Sequence, residues 1–152
     1  MKILYFPIIG KDKIHTNAAG DYQADSLFHG LRTLFGEDVV DAYKMWHLYK
    51  DADPSDLKNL WGGGFTIYGL LPDQNIDRDD IHYKILQNYY DYLVIPINHT
   101  ENGNYDLIGS VVETFGLHYP KNKIVLIDGW DRSEFDKDIA KKCLYFKREM
   151  SI

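Results

Sequence analysis

The sequence predicts a Rossmann-like α/β domain, a doubly wound and mostly parallel sheet with helices on both faces. Short apolar runs rich in β-forming residues alternate along the chain with amphipathic segments of helical spacing. Such alternation requires a mostly parallel sheet, because each crossover helix returns the chain to the same edge. The length of 152 residues suits one core, and no linker rich in Pro, Gly or Ser divides it. We therefore expect a single domain over residues 1–152.

The elements of the first half follow from local patterns. The clearest is a helix over 21–35, where apolar side chains recur at helical spacing and Gly36 stands at the C-cap position. An apolar run before Pro7 predicts the first strand. The predicted order is strand 2–6, helix 21–35, strand 38–42, a short helix from Pro54, strand 66–71 and helix 78–88.

The second half continues the alternation and directs the search for a site. It predicts strand 92–97, buried on both faces, helix 105–115, strand 123–127 and an edge strand over 143–146. In open α/β sheets, ligands bind beyond the carboxyl ends of the strands. We therefore expect the site among the loops that follow residues 6, 42, 71, 97 and 127.

Composition and charge exclude several classes of function. A net charge of −6 disfavours binding to nucleic-acid backbones and to anionic membranes. The single cysteine, Cys143, permits neither an internal disulfide nor a multi-thiolate zinc site, and its apolar neighbours predict an inert thiol. The apolar run that ends at Pro7 is too short for a signal peptide or a membrane span. We expect a cytoplasmic protein with no metal and no cofactor.

The first loop and the start of the helix at 21–35 are candidates for anion binding. His15 and Asn17 lie in this loop, and the free N–H groups of a helix N-terminus attract anions. The loop contains no glycine-rich phosphate motif. Asp21 and Asp25 also bring negative charge to the first turn, where they can satisfy the helix dipole themselves.

Two constellations of acidic and basic residues are candidates for chemistry. Asp25, His29 and Arg32 share one face of the predicted helix, and a histidine oriented by a carboxylate is the usual form of a general base. The alternative is a solvated pair worth about 0.2–0.5 kcal/mol. Asp128 and Asp131 follow the last central strand and suit a cation, a sugar hydroxyl or a ribose. The alternative there is a turn followed by an N-cap.

From these patterns we expect two sets of site residues. The catalytic candidates are Asp25, His29 and Asp128. The ligand-binding candidates are His15, Asn17, Gln23, Arg32 and Asp131.

Several segments in order resemble the N-terminal region of bacterial and phage proteins described as glycosyltransferase-like. The segments are DYQADSLFHGLR at 21–32, DVVD at 38–41, KMW at 44–46, GFTIYGLL at 64–71, YPKNKIV at 119–125, DG at 128–129 and YFKRE at 145–149. The resemblance covers most of the chain, but these segments are family signatures without an assigned catalytic role. It implies a GT-B architecture, in which two Rossmann-like domains face a cleft and the first domain contacts the acceptor.

The resemblance also implies a second α/β domain after the YFKRE segment, which holds the nucleotide-sugar. We therefore expect the present 152 residues to bind a sugar or nucleotide-like ligand without transferring a sugar, unless another domain, a protein partner or a second copy completes the cleft. Two alternatives stay open. One is a noncatalytic, phage-encoded interaction module with an aromatic-rich surface. The other is a small nucleotide hydrolase or transferase that uses Asp25 and Asp128.

Overall fold

A computed structural model describes residues 1–7, 21–60, 67–72, 76–97, 104–131 and 133–148. Within them, five parallel strands form one sheet in the order β2-β1-β3-β4-β5. Helices cover both faces of this sheet, so the predicted fold class is confirmed.

The elements are bounded as follows. The strands are β1 (Ile3–Tyr5), β2 (Val39–Asp41), β3 (Tyr92–Ile97), β4 (Ile124–Asp128) and β5 (Leu144–Lys147). The α-helices are α1 (Tyr22–Phe35), α2 (Ile81–Leu86), α3 (Asn104–Gly116) and α4 (Lys137–Ala140). Turns of 3₁₀-helix span Gly36–Asp38, Trp46–Leu48, Pro54–Asn59 and Lys121–Lys123.

The sheet separates two hydrophobic clusters, because successive side chains of a strand point to opposite faces. On the first face, α1 and the segment after β2 pack over Tyr5, Val39 and Val94. On the second face, α2, α3 and α4 pack over Leu4, Ile95 and their neighbours. Both faces of β1 and β3 are thereby buried, which explains why these strands read as continuous apolar runs.

Helix α1 has the predicted ends. The Asp21 carboxylate accepts hydrogen bonds from the backbone N–H groups of Gln23 and Ala24, each at 2.9 Å. At the other end, the backbone N–H of Gly36 donates to the carbonyl of Arg32. Because the aspartate side chain already occupies two of the free N–H groups, the expectation that acidic residues satisfy this helix terminus is confirmed.

Three elements differ from the sequence prediction. The strand expected over 66–71 is wrong for the described residues 67–71, where Leu71 makes only an isolated bridge to Tyr49. Gly69 has a φ of +63°, which interrupts an extended backbone there. Helix α2 is shorter than expected and is followed by Asn88 with a φ of 52°. Helix α4 was not predicted, because it is a single turn capped by Asp136.

Part of the first face carries no helix among the described residues. Leu144 and Phe146 of β5 lie on that face, in register with Val125 and Ile127 of β4. Phe146 is 55% exposed and Leu144 is 38% exposed. The structure thus has an apolar half-face of Val125, Ile127, Leu144 and Phe146 beside α1.

Candidate functional site

The strand order defines where a ligand crevice opens. The chain leaves β1 toward α1 on the first face, whereas the helix after β3, α3, lies on the second face. Ligands in doubly wound sheets bind at such a switch point, outside the carboxyl ends of the strands. Two of the predicted ligand-binding residues, His15 and Asn17, fall in the loop after β1 and lie outside the described residues.

A buried acid–histidine pair lies near the carboxyl ends of β1 and β2. Asp25 in the first turns of α1 is 1% exposed, and His47 after β2 is 2% exposed. The Asp25 Oδ1 and His47 Nε2 atoms are 3.0 Å apart. Their mutual angle is poor, and within the described residues neither this oxygen nor either ring nitrogen makes a well-aligned hydrogen bond. The other oxygen of Asp25, Oδ2, accepts a hydrogen bond from the Asp21 backbone N–H at 3.2 Å.

The surroundings of this pair alter two pKa values. Burial raises the pKa of Asp25 above its ordinary value, and the neighbouring His47 acts in the opposite direction. Burial, followed by the negative charges of Asp25 and Asp21, raises the pKa of Tyr5. The Tyr5 hydroxyl donates a 2.7 Å hydrogen bond to the Ala24 carbonyl, so it remains a neutral donor beneath α1.

A second buried carboxylate, Asp41, ends β2. Its Oδ1 accepts from the Arg78 guanidinium at 2.5 Å, and its Oδ2 accepts from the backbone N–H of Met45 at 2.9 Å. Arg78 also donates to the Tyr49 hydroxyl at 3.2 Å. Burial and then the Asp41 charge raise the pKa of Tyr49. This cluster fixes the chain after β2 and keeps Tyr49 protonated.

The third buried carboxylate, Asp128, ends β4 and is fully hydrogen bonded. Its Oδ2 accepts from the Tyr145 hydroxyl at 2.5 Å. Its Oδ1 accepts from the Trp130 backbone N–H at 2.9 Å and from the Lys147 ammonium at 3.3 Å. Lys147 also donates to the Trp130 carbonyl. This network joins β5 to β4 and orders the loop that follows β4.

Two predicted ligand-binding residues flank that same loop. Gln23 packs against Gly129 so closely that a Cβ at residue 129 would overlap its side-chain amide. The Gln23 Oε1 atom is buried and has no hydrogen-bond partner among the described residues. Asp131 forms an ion pair with Arg148, which also donates to the Tyr22 hydroxyl. The structure therefore brings Gln23 and Asp131 to one corner of the carboxyl edge.

The remaining candidates do not converge there. Asp25 pairs with His47 and not with His29, so the predicted carboxylate–histidine pair on one helix is wrong. Arg32 is buried and donates to the carbonyl of Val39 at 2.9 Å, at the opposite, amino edge of the sheet. Asp128 and Asp25 lie on opposite faces of the sheet, because Asp128 is in register with Ile97 of the second cluster. These residues do not form one catalytic group.

An apolar groove lies on the second face, level with the middle of β3, because the Phe6 backbone N–H donates to the Val94 carbonyl. It has a volume of about 170 Å³ and is lined by Phe6, Ser110, Val111, Thr114 and Phe115. Phe6 comes from the connection that leaves β1, and the other residues belong to α3, which follows β3. Its walls are therefore Phe6 and the second half of α3.

The described residues offer little for metal, thiol or membrane chemistry. Within them, no group of three or more His, Cys, Asp or Glu side chains could hold a metal ion. Cys143 is buried, and burial raises the pKa of its thiol to about 11. In the same part of the chain, no helix is both long and apolar enough to cross a bilayer.

Sequence reasoning missed His47, Asp41, Arg78 and Lys147. Two of them had a usable signal, since Asp41 and Lys147 stand at the carboxyl ends of predicted strands. His47 and Arg78 had none, because each meets its carboxylate only after the chain folds. Arg78 is 37 residues from Asp41 along the chain.

Comparisons with protein-family models, with curated proteins and with solved structures found no match. The resemblance to glycosyltransferase-like proteins stays a prediction.

Proposed function

We propose that this domain binds a sugar-containing or nucleotide-like small molecule at the carboxyl edge of its sheet. The strand order carries the proposal, because it opens a crevice between β1 and β3 where doubly wound sheets bind ligands. The resemblance at 21–32 and 119–125 supports a role as the acceptor-side half of a GT-B type enzyme. Ligand binding needs only this edge of the sheet, whereas glycosyl transfer also needs a second domain to form the other side of the cleft.

One feature at this edge supports ligand binding. The Gln23 amide oxygen is buried without a hydrogen-bond partner among the described residues, and it packs against Gly129. A buried acceptor of this kind costs free energy until a donor reaches it.

The geometry favours binding over catalysis by these residues alone. Asp25 and Asp128 are both buried, on opposite faces of the sheet, and each faces its own internal partners. This arrangement weighs against a hydrolase that uses the two acids together. Glycosyl transfer requires donor and acceptor to be held in contact, a gain of roughly 7–11 kcal/mol that needs both walls of a cleft. We therefore expect ligand binding without turnover.

The test is a ¹⁵N–¹H NMR titration of the protein with nucleoside diphosphates and nucleotide-sugars. We expect shifts of the Phe6, Ile97 and Trp130 amides at the carboxyl edge. The amides of Lys2 and Lys123 at the amino edge should not move.

A pair of matched variants sharpens this titration. Gln23→Ala should weaken binding about fivefold or more, because a donor on the ligand loses its acceptor. Gln87→Ala makes the same change beside α2 at the amino edge and should leave binding unchanged. Shifts confined to the amino edge, or no shifts with any ligand up to about 10 mM, would contradict the proposal. Release of free nucleotide during the titration would contradict binding without turnover.

A second candidate function is a noncatalytic interaction module, which the apolar half-face of β4 and β5 favours. Parallel sheets are usually covered on both faces, and this part is open among the described residues. A second copy is the simplest occupant to test, by sedimentation velocity across a concentration series. Leu144→Ser should abolish self-association, whereas Leu107→Ser, at a similarly exposed leucine on α3, should not. A wild-type protein that stays monomeric throughout would remove the support for self-docking.

A further inference from the structure

We propose that two copies of this chain form a symmetric dimer in which helix α1 of each copy lies on the apolar half-face of the other. This inference goes beyond ligand binding at the carboxyl edge. It rests on the second candidate function, self-docking, and names the segment of the second copy that covers the half-face.

The outer surface of α1 carries no charge. The helix spans 14 residues, and its two charged side chains, Asp25 and Arg32, are both buried. A helix with one face in solvent usually has charged residues on that face, as α3 has in Asp106 and Glu113. On α1, Leu34 is 75% exposed instead. The composition of α1 is therefore that of a helix covered on both sides.

The exposed apolar side chains of α1 border the half-face. One side of the helix carries, at helical spacing, Gln23, Leu27, Leu31 and Leu34. Gln23 packs against Gly129, which directly follows β4. The same side of α1 is therefore turned toward β4 and β5. Its leucines form the wall of a slot, and the apolar half-face forms the floor.

The slot has the dimensions of one α-helix. Neighbouring strands lie about 4.8 Å apart, so a floor of two strands is about 10 Å wide. An α-helix with its side chains is also about 10 Å in diameter. The five residues of β4 span about 17 Å, and the 14 residues of α1 span about 21 Å. A helix as long as α1 therefore fills the slot.

A second copy supplies this helix through two-fold symmetry. An axis parallel to the strands reverses the order of elements across the sheet and keeps the direction of each chain. It places α1 of each copy in the slot of the other, with the two helices side by side and parallel. Both uncharged surfaces are then covered at once. A helix from an unrelated protein would fill the slot but leave the outer surface of α1 in water.

Gly30 lies where α1 meets the sheet of the other copy. It is two residues from the buried Phe28 and Arg32, so it is on the side of the helix away from its own sheet. A Cβ at Gly30 would meet nothing within 4 Å in the same chain. Glycine inside a helix lowers helix stability, and nothing in the chain's own packing requires it here. In the dimer, its missing side chain lets the helix backbone approach Phe146 of the other copy.

The size of the interface predicts a weak dimer. Each copy contributes two strips of roughly 20 Å by 10 Å, so the dimer buries about 800 Å² in total. This area is below that of stable protein–protein interfaces. We expect a Kd of about 10–100 μM for self-association.

Disulfide cross-linking tests the arrangement of the helices. Parallel helices related by a two-fold axis bring the same residue of both copies face to face, within disulfide reach. Leu27→Cys should therefore give a covalent dimer on mild oxidation at about 100 μM protein. The control is Ser110→Cys, at an exposed position of α3 on the other face of the sheet. Equal cross-linking of the two variants would overturn the inference.

A charge on the outer surface of α1 tests the same contact without removing any internal packing. Gly30→Lys should weaken self-association at least tenfold in sedimentation velocity, while circular dichroism shows the fold retained. Its matched control is Gly109→Lys in α3, where a Cβ meets only the Ile139 side chain at 4.0 Å. This control should associate as the wild type does. Association of the folded Gly30→Lys variant with wild-type affinity would overturn the inference.

These outcomes are separable from those of the earlier proposals. Self-association that Leu144→Ser abolishes and Gly30→Lys does not would uphold self-docking on the half-face and reject α1 as the occupant. A wild-type protein that stays monomeric at about 1 mM would overturn the dimer and self-docking together. Ligand binding at the carboxyl edge would still be decided by its own NMR titration.

Discussion

Two buried carboxylates at the same edge of the sheet are held in different ways. Asp128, at the end of β4, accepts three hydrogen bonds, from the Trp130 backbone N–H, the Tyr145 hydroxyl and the Lys147 ammonium, which is also its ion-pair partner. Asp25, beside β1 and β2, has an oxygen that faces His47 at 3.0 Å without a well-aligned hydrogen bond. Both groups are removed from water, and the Asp25 Oδ2 atom accepts from the Asp21 backbone N–H at 3.2 Å, but only Asp128 has a well-aligned donor at each oxygen. We infer that the β4–β5 corner is fixed by its charge network, whereas the β1–β2 corner can change its protonation.

The largest loss of stability should come from removing the carboxylate of the buried Asp128–Lys147 pair. Asp128→Ala leaves the Lys147 ammonium buried without its carboxylate, and we expect the free energy of unfolding to fall by about 3–5 kcal/mol. The measurement is urea denaturation followed by circular dichroism. Asp128→Leu combined with Lys147→Met removes both charges and should recover most of the loss. A single variant as stable as the double variant would show that the pair does not hold this corner.

A smaller effect is expected at Asp41. Arg78→Met removes the guanidinium but leaves Asp41 bonded to the Met45 backbone N–H. Arg78 is itself partly exposed, so we expect a loss of about 2 kcal/mol. Urea denaturation measures it, with Arg78→Lys as the comparison. The lysine variant should recover little, because one ammonium cannot reach both Asp41 and Tyr49 in the same way.

The Asp25–His47 pair should be detectable mainly in the pH dependence of the free energy of unfolding. Asp25 has a folded-state pKa raised above 3.8, so the folded protein binds more protons than the unfolded chain within that window. The stability of wild type relative to Asp25→Asn should therefore fall as pH rises from about 3.8 through the raised pKa. Near pH 7 the Asp25→Asn substitution itself should cost only about 1 kcal/mol.

Asp53 provides a control for which the pH dependence of stability should have the opposite sign to that of Asp25. Hydrogen bonds from Ser55 lower the pKa of Asp53. The stability of wild type relative to Asp53→Asn should therefore rise with pH in the acidic range. If both variants gave the same pH dependence, the burial of Asp25 would not be the cause.

The smallest effect is expected for an exposed pair of the same charge types. Lys142 and Glu113 are in contact on the surface, at a distance of 2.5 Å between Nζ and Oε1. Water and salt screen exposed pairs, so Lys142→Gln should leave the thermal midpoint unchanged within error. A marked loss in this variant would remove the distinction between buried and exposed lysine–carboxylate pairs.

The sequence predicted the elements whose signals are local. The sequence could predict helix α1 and both of its caps, because Asp21, the apolar residues at helical spacing and Gly36 all lie within one segment. The central strands were recoverable because burial on both faces makes them continuous apolar runs. The prediction of a strand at 66–71 was wrong. Apolar side chains of this segment pack into the first cluster, but its described residues make only one strand-like bridge, between Leu71 and Tyr49.

The candidate site was less predictable, because its pairs form across long stretches of chain. Spacing on one helix suggested His29 as the partner of Asp25, whereas the fold brings in His47 from the segment after β2. Lys147 reaches Asp128 only because β5 is in register with β4. The position of Asp128 at a strand end was foreseeable, but its three internal donors were not.

The strand order has a consequence for how the chain assembles during synthesis. In the order β2-β1-β3-β4-β5, every strand after β1 finds a neighbour that has already been made. Strand β2 pairs on one side of β1, β3 pairs on the other, and β4 and β5 then extend the sheet outward. The earliest strand thus serves as the template for both directions of growth, and no strand has to wait for a later one in order to pair.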